Sequence, residues 1–340
     1  MNCIRKGDAI LFSQPPSLSY FAAVAGKREG EGPLGSCFDE VLSNNTLGQK
    51  CWEKAESLLQ QRAASLALEK AGRKQAELDA VLCGDLQNQC TASGYALREL
   101  DAPSIGLYGA CSTMVQALAL GGCLVAGGAA QRTLAVTSSH FCVAERQFRT
   151  PLDYGGKRTP TAQWTVTGAG AVLIQPTGNG PFLRAASFGR VQDAGVKDLS
   201  NMGAAMAPAA AETLLRFFAD TGSAPTDFDG IYTGDLGLVG SQLLHALLEK
   251  EGLPLPNHHD CGLLIFDRTR QPVQAGGSGC GCCASVLAAH LLPALQAGRM
   301  RRILVVATGA LMSSITVQQG ESIPAVAHLV ELAAQPKEET

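Results

Sequence analysis

Short apolar runs alternate along the chain with longer segments in which apolar residues recur every three or four positions. The short runs predict buried strands, and the longer segments predict helices with one apolar face. The predicted strands are 9–13, 78–84, 132–137, 164–174, 182–190, 228–234, 263–266, 303–307 and 324–329. The predicted helices are 49–71, 88–100, 111–128, 201–220, 239–250 and one that begins near residue 281. This alternation predicts an α/β fold with a mostly parallel sheet.

Two collinear matches indicate an internal duplication. The string LDAVLCGDL at 78–86 returns as FDGIYTGDL at 228–236, and 109–136 aligns without gaps with 279–306. Chance recurrence of Ala-rich helices is the alternative reading, but two matches in the same order favour duplication. The offsets are 150 and 170 residues, so the second half carries about twenty extra residues, which we expect around 258–262.

The duplication predicts two similar halves, residues 1–175 and 176–340. Each half is expected to be built on a strand–helix–strand unit, and the helices that begin at Cys111 and near Gly281 are expected to be buried between the sheets.

Two stretches are long enough to span a membrane and carry no Asp, Glu, Lys or Arg, 111–131 and 273–298. Both are rich in Gly, Ser, Cys and Gln, and the second contains His290 and Pro293. Buried helices of an α/β core explain this composition better than membrane spans do.

Charge and cysteine usage exclude several classes of protein. The formal net charge of the 340 residues is −3 at pH 7, so nucleic-acid binding is not expected. Twelve cysteines are scattered through the chain, and the first apolar run is too short for a signal peptide, which predicts reduced thiols in a reducing, cytoplasmic-type compartment. Cys280, Cys282 and Cys283 are too crowded for a zinc finger.

Cys111 is the first candidate for chemistry. A Gly-containing turn leads from it into a long apolar helix, so the free N–H groups and positive dipole of the helix start favour a thiolate or a nearby anion. Cys111 is therefore either a nucleophile or part of the floor of an anion-binding pocket.

Seven strings in this sequence carry a family resemblance. They are KREGEGPLGS at 27–36, AVLCGDLQNQ at 80–89, LYGACST at 107–113, QFRTPLDYGG at 147–156, MGAAMAPAAA at 202–211, HDCGLLI at 259–265 and GGSGC at 276–280. The duplication and the central Gly-Ala-Cys-Ser resemble the thiolase and ketoacyl synthase superfamily. The seven strings resemble one family within it, the stage V sporulation protein AD family of endospore-forming bacteria.

The resemblance implies a thiolase-like duplicated fold with five layers, α/β/α/β/α, in which two mixed sheets enclose central buried helices. It also implies binding of dipicolinic acid (pyridine-2,6-dicarboxylate), either free or as its Ca²⁺ chelate, for uptake into the developing spore. The implied location is the inner membrane of the forespore or spore, where other proteins of the stage V sporulation A complex would hold the chain peripherally. A homodimer is expected only by analogy of fold.

The resemblance also shows where this chain departs from a condensing enzyme. Such enzymes need two polar groups beside the cysteine, usually His together with His or Asn. At the positions that correspond, this chain has Asp235 and the pair Ser278 and Gly279. A carboxylate where an enolate forms is unfavourable, so we expect no catalysis and no cofactor. The alternatives are an acyl-CoA condensing enzyme or acyltransferase with Cys111 as acyl carrier, and a structural subunit with an empty pocket.

The ligand-binding residues are expected at the strand ends and turns around the Cys111 helix. The predicted residues are Cys111, Ser138, Ser139, His140, His259, Asp260, Cys261, Ser278 and Gly279. Asp260 is a candidate ligand for Ca²⁺ carried by dipicolinate, although no metal site is certain. His140 is equally compatible with a hydrogen-bonded core histidine.

Two further groups of polar residues have alternative readings. Arg146, Arg149, Lys157 and Arg158 lie in the polar segment 145–161 and form either a solvated loop face or a basic gate for an anion. Asp85 and Asp235 occupy matching positions in the repeat, and we expect them to cap helices or turns.

Overall fold

The structure is a computed structural model in which residues 3–148 and 158–336 are described. The strands are β1 Cys3–Lys6, β2 Ala9–Phe12, β3 Ser17–Ala25, β4 Glu40–Val41, β5 Ala80–Gly84, β6 Ser104–Gly106, β7 Thr133–Ser139, β8 Trp164–Thr165, β9 Gly168–Gln175, β10 Phe182–Ser187, β11 Gly230–Thr233, β12 His258–Asp260, β13 Gly277–Ser278, β14 Arg302–Ala310 and β15 Ala325–Ala333. The helices are α1 Lys27–Gly30, α2 Trp52–Ala71, α3 Thr91–Leu97, α4 Thr113–Ala126, α5 Phe141–Phe148, α6 Met202–Thr221, α7 Gly237–Lys250, α8 Cys261–Leu264, α9 Cys280–Val286, α10 Leu292–Gln296 and α11 Ser314–Gln318.

The long outer helices have clear local end signals. α2 ends at Gly72, whose left-handed φ of 61° suits glycine. α6 begins at Asn201, whose side chain accepts a hydrogen bond from the backbone N–H of Ala204, and it ends at the left-handed Gly222. These signals explain why the predicted bounds of both helices agree with the structure to within a few residues.

The strand order repeats between the two halves, which confirms the duplication. The first sheet has the order β6-β5-β7-β9-β3, and the second has the order β12-β11-β14-β15-β10. In each sheet the first three strands are parallel, while the fourth is antiparallel to the third. The matching strings at 78–86 and 228–236 therefore form the second strand of each sheet.

The two sheets meet along one edge. β3 and β10 share a single paired position, Ser17 with Phe182, so the sheets join into one hydrogen-bonded path. The N-terminal strand β2 pairs with β10, so residues from the beginning of the chain complete the second sheet. The division of the chain at residue 175 stays a prediction.

Five layers stack in the predicted order. α2 and α3 cover the outer face of the first sheet, and α6 and α7 cover the outer face of the second. α4 and α9 lie between the sheets, where Met114, Leu118 and Val286 belong to the central apolar core. A fold of this kind places the starts of α4 and α9 next to each other in the middle of the molecule.

The two uncharged stretches form buried helices. The first becomes α4, and the second is divided into α9, a π-helical turn at Leu287–Leu291 and α10. Across residues 3–148 and 158–336, no helix combines the length and hydropathy needed to cross a membrane.

Several strand predictions need correction. The predicted strand at 263–266 is wrong, because the strand of that region is β12 and the residues after it form the short helix α8. Periodicity cannot separate a short apolar run in a helix from one in a strand. The other errors are omissions: β1, β3, β4, β6 and β13 lie outside the predicted strands, and of these β3 at Ser17–Ala25 is the innermost strand of the first sheet.

Candidate functional site

Cys111 lies on the wall of a cavity of about 610 Å³, which we call the Cys111 cavity. It belongs to a single 3-10 turn, Ala110–Ser112, immediately before α4. The backbone of Ala110 is left-handed, with φ of 51°. The hydroxyls of Ser112 and Thr113 brace the turn by donating to the carbonyls of Gly109 and Ala110, each at 2.6 Å.

Both halves of the chain line the Cys111 cavity. The polar part of the lining includes Asn88, Tyr108, Gln147, Gln163, Thr165, Ser200, Ser278, Ser313 and Ser314. The apolar part includes Leu86, Phe148, Leu199, Met202, Met206, Leu311, Met312 and Ile315. Within the described part of the chain, the charged lining residues are Glu145 and Arg158, which form an ion pair with each other. The cavity is thus mainly apolar with several neutral hydrogen-bonding groups, as in small-molecule sites.

Asp235 lies behind this lining and is fully buried. Its Oδ2 accepts hydrogen bonds from the Ser278 hydroxyl and the Gly279 backbone N–H, both at 2.9 Å, and its Oδ1 accepts from Thr308 at 2.9 Å. The turn that brings Ser278 there requires glycine next, because Gly279 has φ of 106° and a Cβ would come within 2.6 Å of Ser139 Oγ. Asp235 therefore caps this turn, as predicted.

The Cys111 thiol is held in its protonated form. Burial raises the pKa of Cys111 well above its usual value, and the nearby Asp235 carboxylate raises it further. The Ser278 hydroxyl lies 3.9 Å from the Cys111 sulfur and opposes this effect only weakly. This direction is opposite to the predicted thiolate at the helix start, because burial and the Asp235 carboxylate both raise the pKa of Cys111.

Asp260 is the last residue of β12 and does not line the Cys111 cavity. Its carboxylate accepts from Thr233 Oγ1 at 2.7 Å and from the backbone N–H groups of Leu236 and Gly237 at 2.8 and 3.0 Å. Burial raises the pKa of Asp260 to about 7. Because both oxygens already accept hydrogen bonds at the start of α7, Asp260 does not fit the predicted role of Ca²⁺ ligand.

The polar end of β7 is also structural. Ser138 donates to Glu56 at 3.0 Å, Ser139 donates to the carbonyl of Val166 at 2.7 Å, and the His140 ring is hydrogen-bonded to the carbonyl of Asn45 at 2.8 Å. All three of these predicted residues are buried. For His140, the structure agrees with the core-histidine reading.

The structure therefore does not bring the predicted ligand-binding residues together in one pocket. Cys111 and Ser278 line the Cys111 cavity. Cys261 is buried in the central core, and His259 stacks on Tyr232 with ring centroids 5.1 Å apart. Gly279 shapes the turn next to Ser278. The physical reason is that side chains at the ends of β7 and β12 form hydrogen bonds inside the protein. The turns that carry Cys111 and Ser278 form the wall of the cavity instead.

The structure adds residues that the sequence interpretation missed. Part of the rim is formed by 311–315, which follow β14 and lead into α11, and by 199–202, which lead into α6. Tyr108 and Gln163 had no assigned role, although Tyr108 lies in the same string as Cys111. No motif marked these segments, since their proximity depends on how the two halves pack.

The basic segment is only partly described. Arg146 forms an ion pair with Glu53 and lies over the Trp52 ring, which fits a solvated loop face. Arg158 lines the cavity and donates to the carbonyl of Gln163 at 2.9 Å. Arg149 and Lys157 lie outside the described residues, so the gate reading stays a prediction.

Asp85, the repeat counterpart of Asp235, also has a capping role. It accepts from the backbone N–H of Gln87 at 2.8 Å and from the N–H and hydroxyl of Ser93 at 2.8 and 2.7 Å. Glu56 lies close to it, and burial together with the Asp85 charge raises the pKa of Glu56 to about 8. Within the described ranges, no group of three His, Cys, Asp or Glu side chains is placed to hold a metal ion.

Solved structures with the same architecture define the class of fold. The chain is similar to 3-oxoacyl-[acyl-carrier-protein] synthase III from Aquifex aeolicus, with a TM-score of 0.58 and 14% identity over 94% of this chain and 99% of that one. It is also similar to an OleA protein from Xanthomonas campestris, with a TM-score of 0.60 and 13% identity over 94% and 98% of the two chains. The fold is therefore thiolase-like, of the kind found in ketoacyl synthases.

Sequence comparison identifies the family within this class. The family model of Stage V sporulation protein AD (SpoVAD) matches residues 7–333. The chain is 44% identical over 319 residues to the Stage V sporulation protein AD of Bacillus subtilis strain 168, covering 94% of each chain. It therefore belongs to the Stage V sporulation protein AD family and is a sporulation protein with a thiolase-like fold.

Proposed function

We propose that this sporulation protein binds dipicolinic acid in the Cys111 cavity and performs no acyl transfer. The observation that carries the proposal is the position of Asp235, which occupies the hydrogen-bonding centre beneath Cys111 and Ser278. The structural relatives of this chain include a 3-oxoacyl-[acyl-carrier-protein] synthase III. This chain has a cavity beside its cysteine, but burial and Asp235 favour the neutral thiol.

The cavity has groups suited to a flat aromatic dicarboxylate. Leu86, Met202 and Met206 offer apolar surface for a ring. Tyr108 supplies a hydroxyl donor, and Arg158 supplies a guanidinium group that can share its charge between Glu145 and a ligand carboxylate. The binding mode requires no covalent step.

The rival function is acyl transfer with Cys111 as carrier. It is favoured by the position of Cys111 at the start of a central helix in a cavity, as the fold of ketoacyl synthases would suggest. It is disfavoured by Asp235, because a nucleophilic thiol must lose its proton and a buried carboxylate opposes that loss.

The biological setting follows from the family resemblance and is part of the proposal. We propose that the chain acts in uptake of dipicolinic acid into the forming spore, as a peripheral component at the inner membrane of the forespore. It would be held there by other proteins of the stage V sporulation A complex, and a homodimer is compatible with this arrangement. Ca²⁺ enters as part of the cargo when the ligand is the chelate.

Calorimetric titration with dipicolinic acid, with and without Ca²⁺, tests the binding function. The 3,4-dicarboxylate isomer is the matched ligand control. We expect saturable binding of the 2,6-isomer that weakens in Tyr108→Phe and in Arg158→Gln, whereas Arg98→Gln at an exposed position serves as the charge-matched control. Absence of binding, together with an acyl group on Cys111 after incubation with acyl-CoA, would overturn the proposal in favour of the enzyme.

A further inference from the structure

A second cavity lies on the other side of strand β8. It has a volume of about 620 Å³, and we call it the Trp164 cavity. Successive residues of a strand point to opposite faces, so Trp164 lines this cavity while the next residue, Thr165, lines the Cys111 cavity. The two cavities are therefore separated by a single short strand and have different linings.

The lining of the Trp164 cavity is rich in cationic and amide groups. Three cationic side chains, Lys27, Arg28 and Arg270, face two acidic ones, Glu29 and Glu31. The remaining polar lining residues are Ser43, Asn44, Asn45, Thr167 and Gln271. Such a surface favours an anion that has several hydrogen-bond acceptors.

Arg28 is preorganised but incompletely satisfied. Its guanidinium carbon lies 3.8 Å from the centroid of the Trp164 ring, and the other cavity residue Phe141 stacks on that ring with centroids 3.9 Å apart. Within the described part of the chain, the buried Nε of Arg28 has no hydrogen-bond partner. A buried N–H donor without a partner is costly, so this atom marks a place where a ligand acceptor would be stabilised.

Glu29 presents a second unsatisfied atom in the same wall. Only 1% of the residue is exposed. Its Oε1 accepts from the Thr167 backbone N–H at 2.9 Å, but its Oε2 has no partner among the described residues. Burial raises the pKa of Glu29 to about 7, so near neutral pH the carboxyl group is partly protonated and can donate a hydrogen bond.

The position of His140 gives this cavity a fixed rim. The His140 ring is bonded to the carbonyl of Asn45, a lining residue, and accepts at Nδ1 from the backbone N–H of Cys142. These bonds fix the 44–45 loop against the end of β7. The histidine that the sequence indicated as a site residue thus supports the Trp164 cavity from outside.

Taken together, Arg28 and the protonated form of Glu29 present two adjacent hydrogen-bond donors that have no partner among the described residues. An acceptor-bearing anion can receive a hydrogen bond from Arg28 Nε and another from a protonated Glu29, while Lys27 and Arg270 balance its charge. We infer that the Trp164 cavity is a binding site for a small carboxylate anion, distinct from the Cys111 cavity. It does not depend on the ligand proposed for the first cavity.

Fluorine NMR titration of the full chain with 4-fluorobenzoate tests this site, with neutral 4-fluorobenzamide as the ligand control. We expect saturable broadening and shift with the carboxylate only. Arg28→Gln should weaken binding at least about tenfold, because it removes the charge and the Nε donor. Arg268→Gln is the matched control, since Arg268 is exposed and lies two residues before the lining residue Arg270 but outside the cavity lining.

Two further variants keep the test decisive. Glu29→Gln keeps a hydrogen-bond donor near the position of Glu29 Oε2 and should preserve binding, whereas Glu29→Leu should reduce it. Thermal melts check that both variants are folded. Ser200→Phe adds a ring in the Cys111 cavity and should leave the affinity for 4-fluorobenzoate unchanged. The inference is overturned if the probe does not bind, if Arg28→Gln binds as tightly as the wild type, or if Ser200→Phe alone removes binding.

Discussion

Cys111 and Asp235 are linked through one hydroxyl group. Ser278 Oγ lies 3.9 Å from the Cys111 sulfur and donates to Asp235 Oδ2 at 2.9 Å. This arrangement places a buried acid behind the cysteine at the point where a condensing enzyme needs neutral or cationic partners. Burial and this carboxylate both raise the pKa of Cys111, which supports our proposal that the cavity binds its ligand without a covalent bond.

The first prediction concerns the reactivity of Cys111. Asp235→Asn removes the charge that opposes thiolate formation, so we expect the pKa of Cys111 to fall and alkylation by iodoacetamide at pH 7.5 to speed up at least about tenfold. Peptide mass spectrometry measures the rate at each cysteine. The exposed Cys37 and Cys51 are internal references. Wild-type Cys111 reacting as fast as these two would contradict the description of a protonated thiol.

A second prediction separates stability from ligand binding at Asp260. In Asp260→Asn, the amide group has one acceptor oxygen, so the backbone N–H groups of Leu236 and Gly237 can no longer both be accepted by carboxylate oxygens. We expect the free energy of unfolding to fall by about 1–3 kcal/mol. Chemical denaturation measures this loss. Binding of dipicolinic acid by the folded variant should be unchanged, because Asp260 does not line the cavity. A variant of full stability that no longer binds would restore Asp260 as a ligand-binding residue.

The buried glutamate Glu56 predicts how stability depends on pH. Its pKa is raised from 4.5 to about 8, so between these values the native state holds a proton that the unfolded state has released. Stability from this group is complete below about pH 4.5 and is lost as the pH rises toward 8, at up to about 1.4 kcal/mol per pH unit.

Denaturation of Glu56→Gln between pH 7 and pH 8 checks this sign. Asp260 and Glu29 have pKa values of about 7, so they contribute to the pH dependence of stability mainly below pH 7. Glu56→Gln should therefore lose much of the decrease in stability between pH 7 and pH 8. Glu249→Gln on the exposed end of α7 is the control and should retain the wild-type slope. Stability that increases with pH in the wild type would contradict the buried, protonated state of Glu56.

The fourth prediction concerns the contact that positions the Cys111 turn. A Cβ at Gly309 would come within 2.4 Å of the Gly109 carbonyl oxygen, so Gly309→Ala must displace the turn or the end of β14. We expect a loss of about 1–3 kcal/mol in stability and weaker binding of dipicolinic acid. Gly94→Ala is the matched control, since a Cβ there meets nothing within 4 Å. Equal melting temperatures for the two variants would show that the turn is not held by this contact.

Much of the fold was predictable because the sequence contains an internal duplication. The repeated strings at 78–86 and 228–236 identify equivalent strands, and the glycine-rich helix starts identify the central layer. The strand β3 has no copy among the repeated strings, and β12 consists of three residues, His258–Asp260, that are too polar to form an apolar run. Local sequence patterns predict whether a segment is a helix or a strand better than they predict which strand it pairs with.

The site was less predictable than the fold. Sequence position correctly placed Cys111 and Ser278 near the cavity, since they lie just before the central helices α4 and α9. It could not show which way the neighbouring polar side chains point, so Ser138 and His140 were assigned to a cavity although they brace the layers behind it. Arg158 reaches the cavity from a loop whose position depends on packing between the halves.

The measurement that tests the central claim most directly is a crystal structure of the chain with bound dipicolinic acid. The ligand is expected in the Cys111 cavity, over Cys111 and Ser278 and within hydrogen-bond distance of Arg158, with no covalent bond to the sulfur. A further molecule in the Trp164 cavity would be compatible with this result. Dipicolinic acid bound only outside the Cys111 cavity, or a Cys111 carrying an acyl group, would contradict the claim.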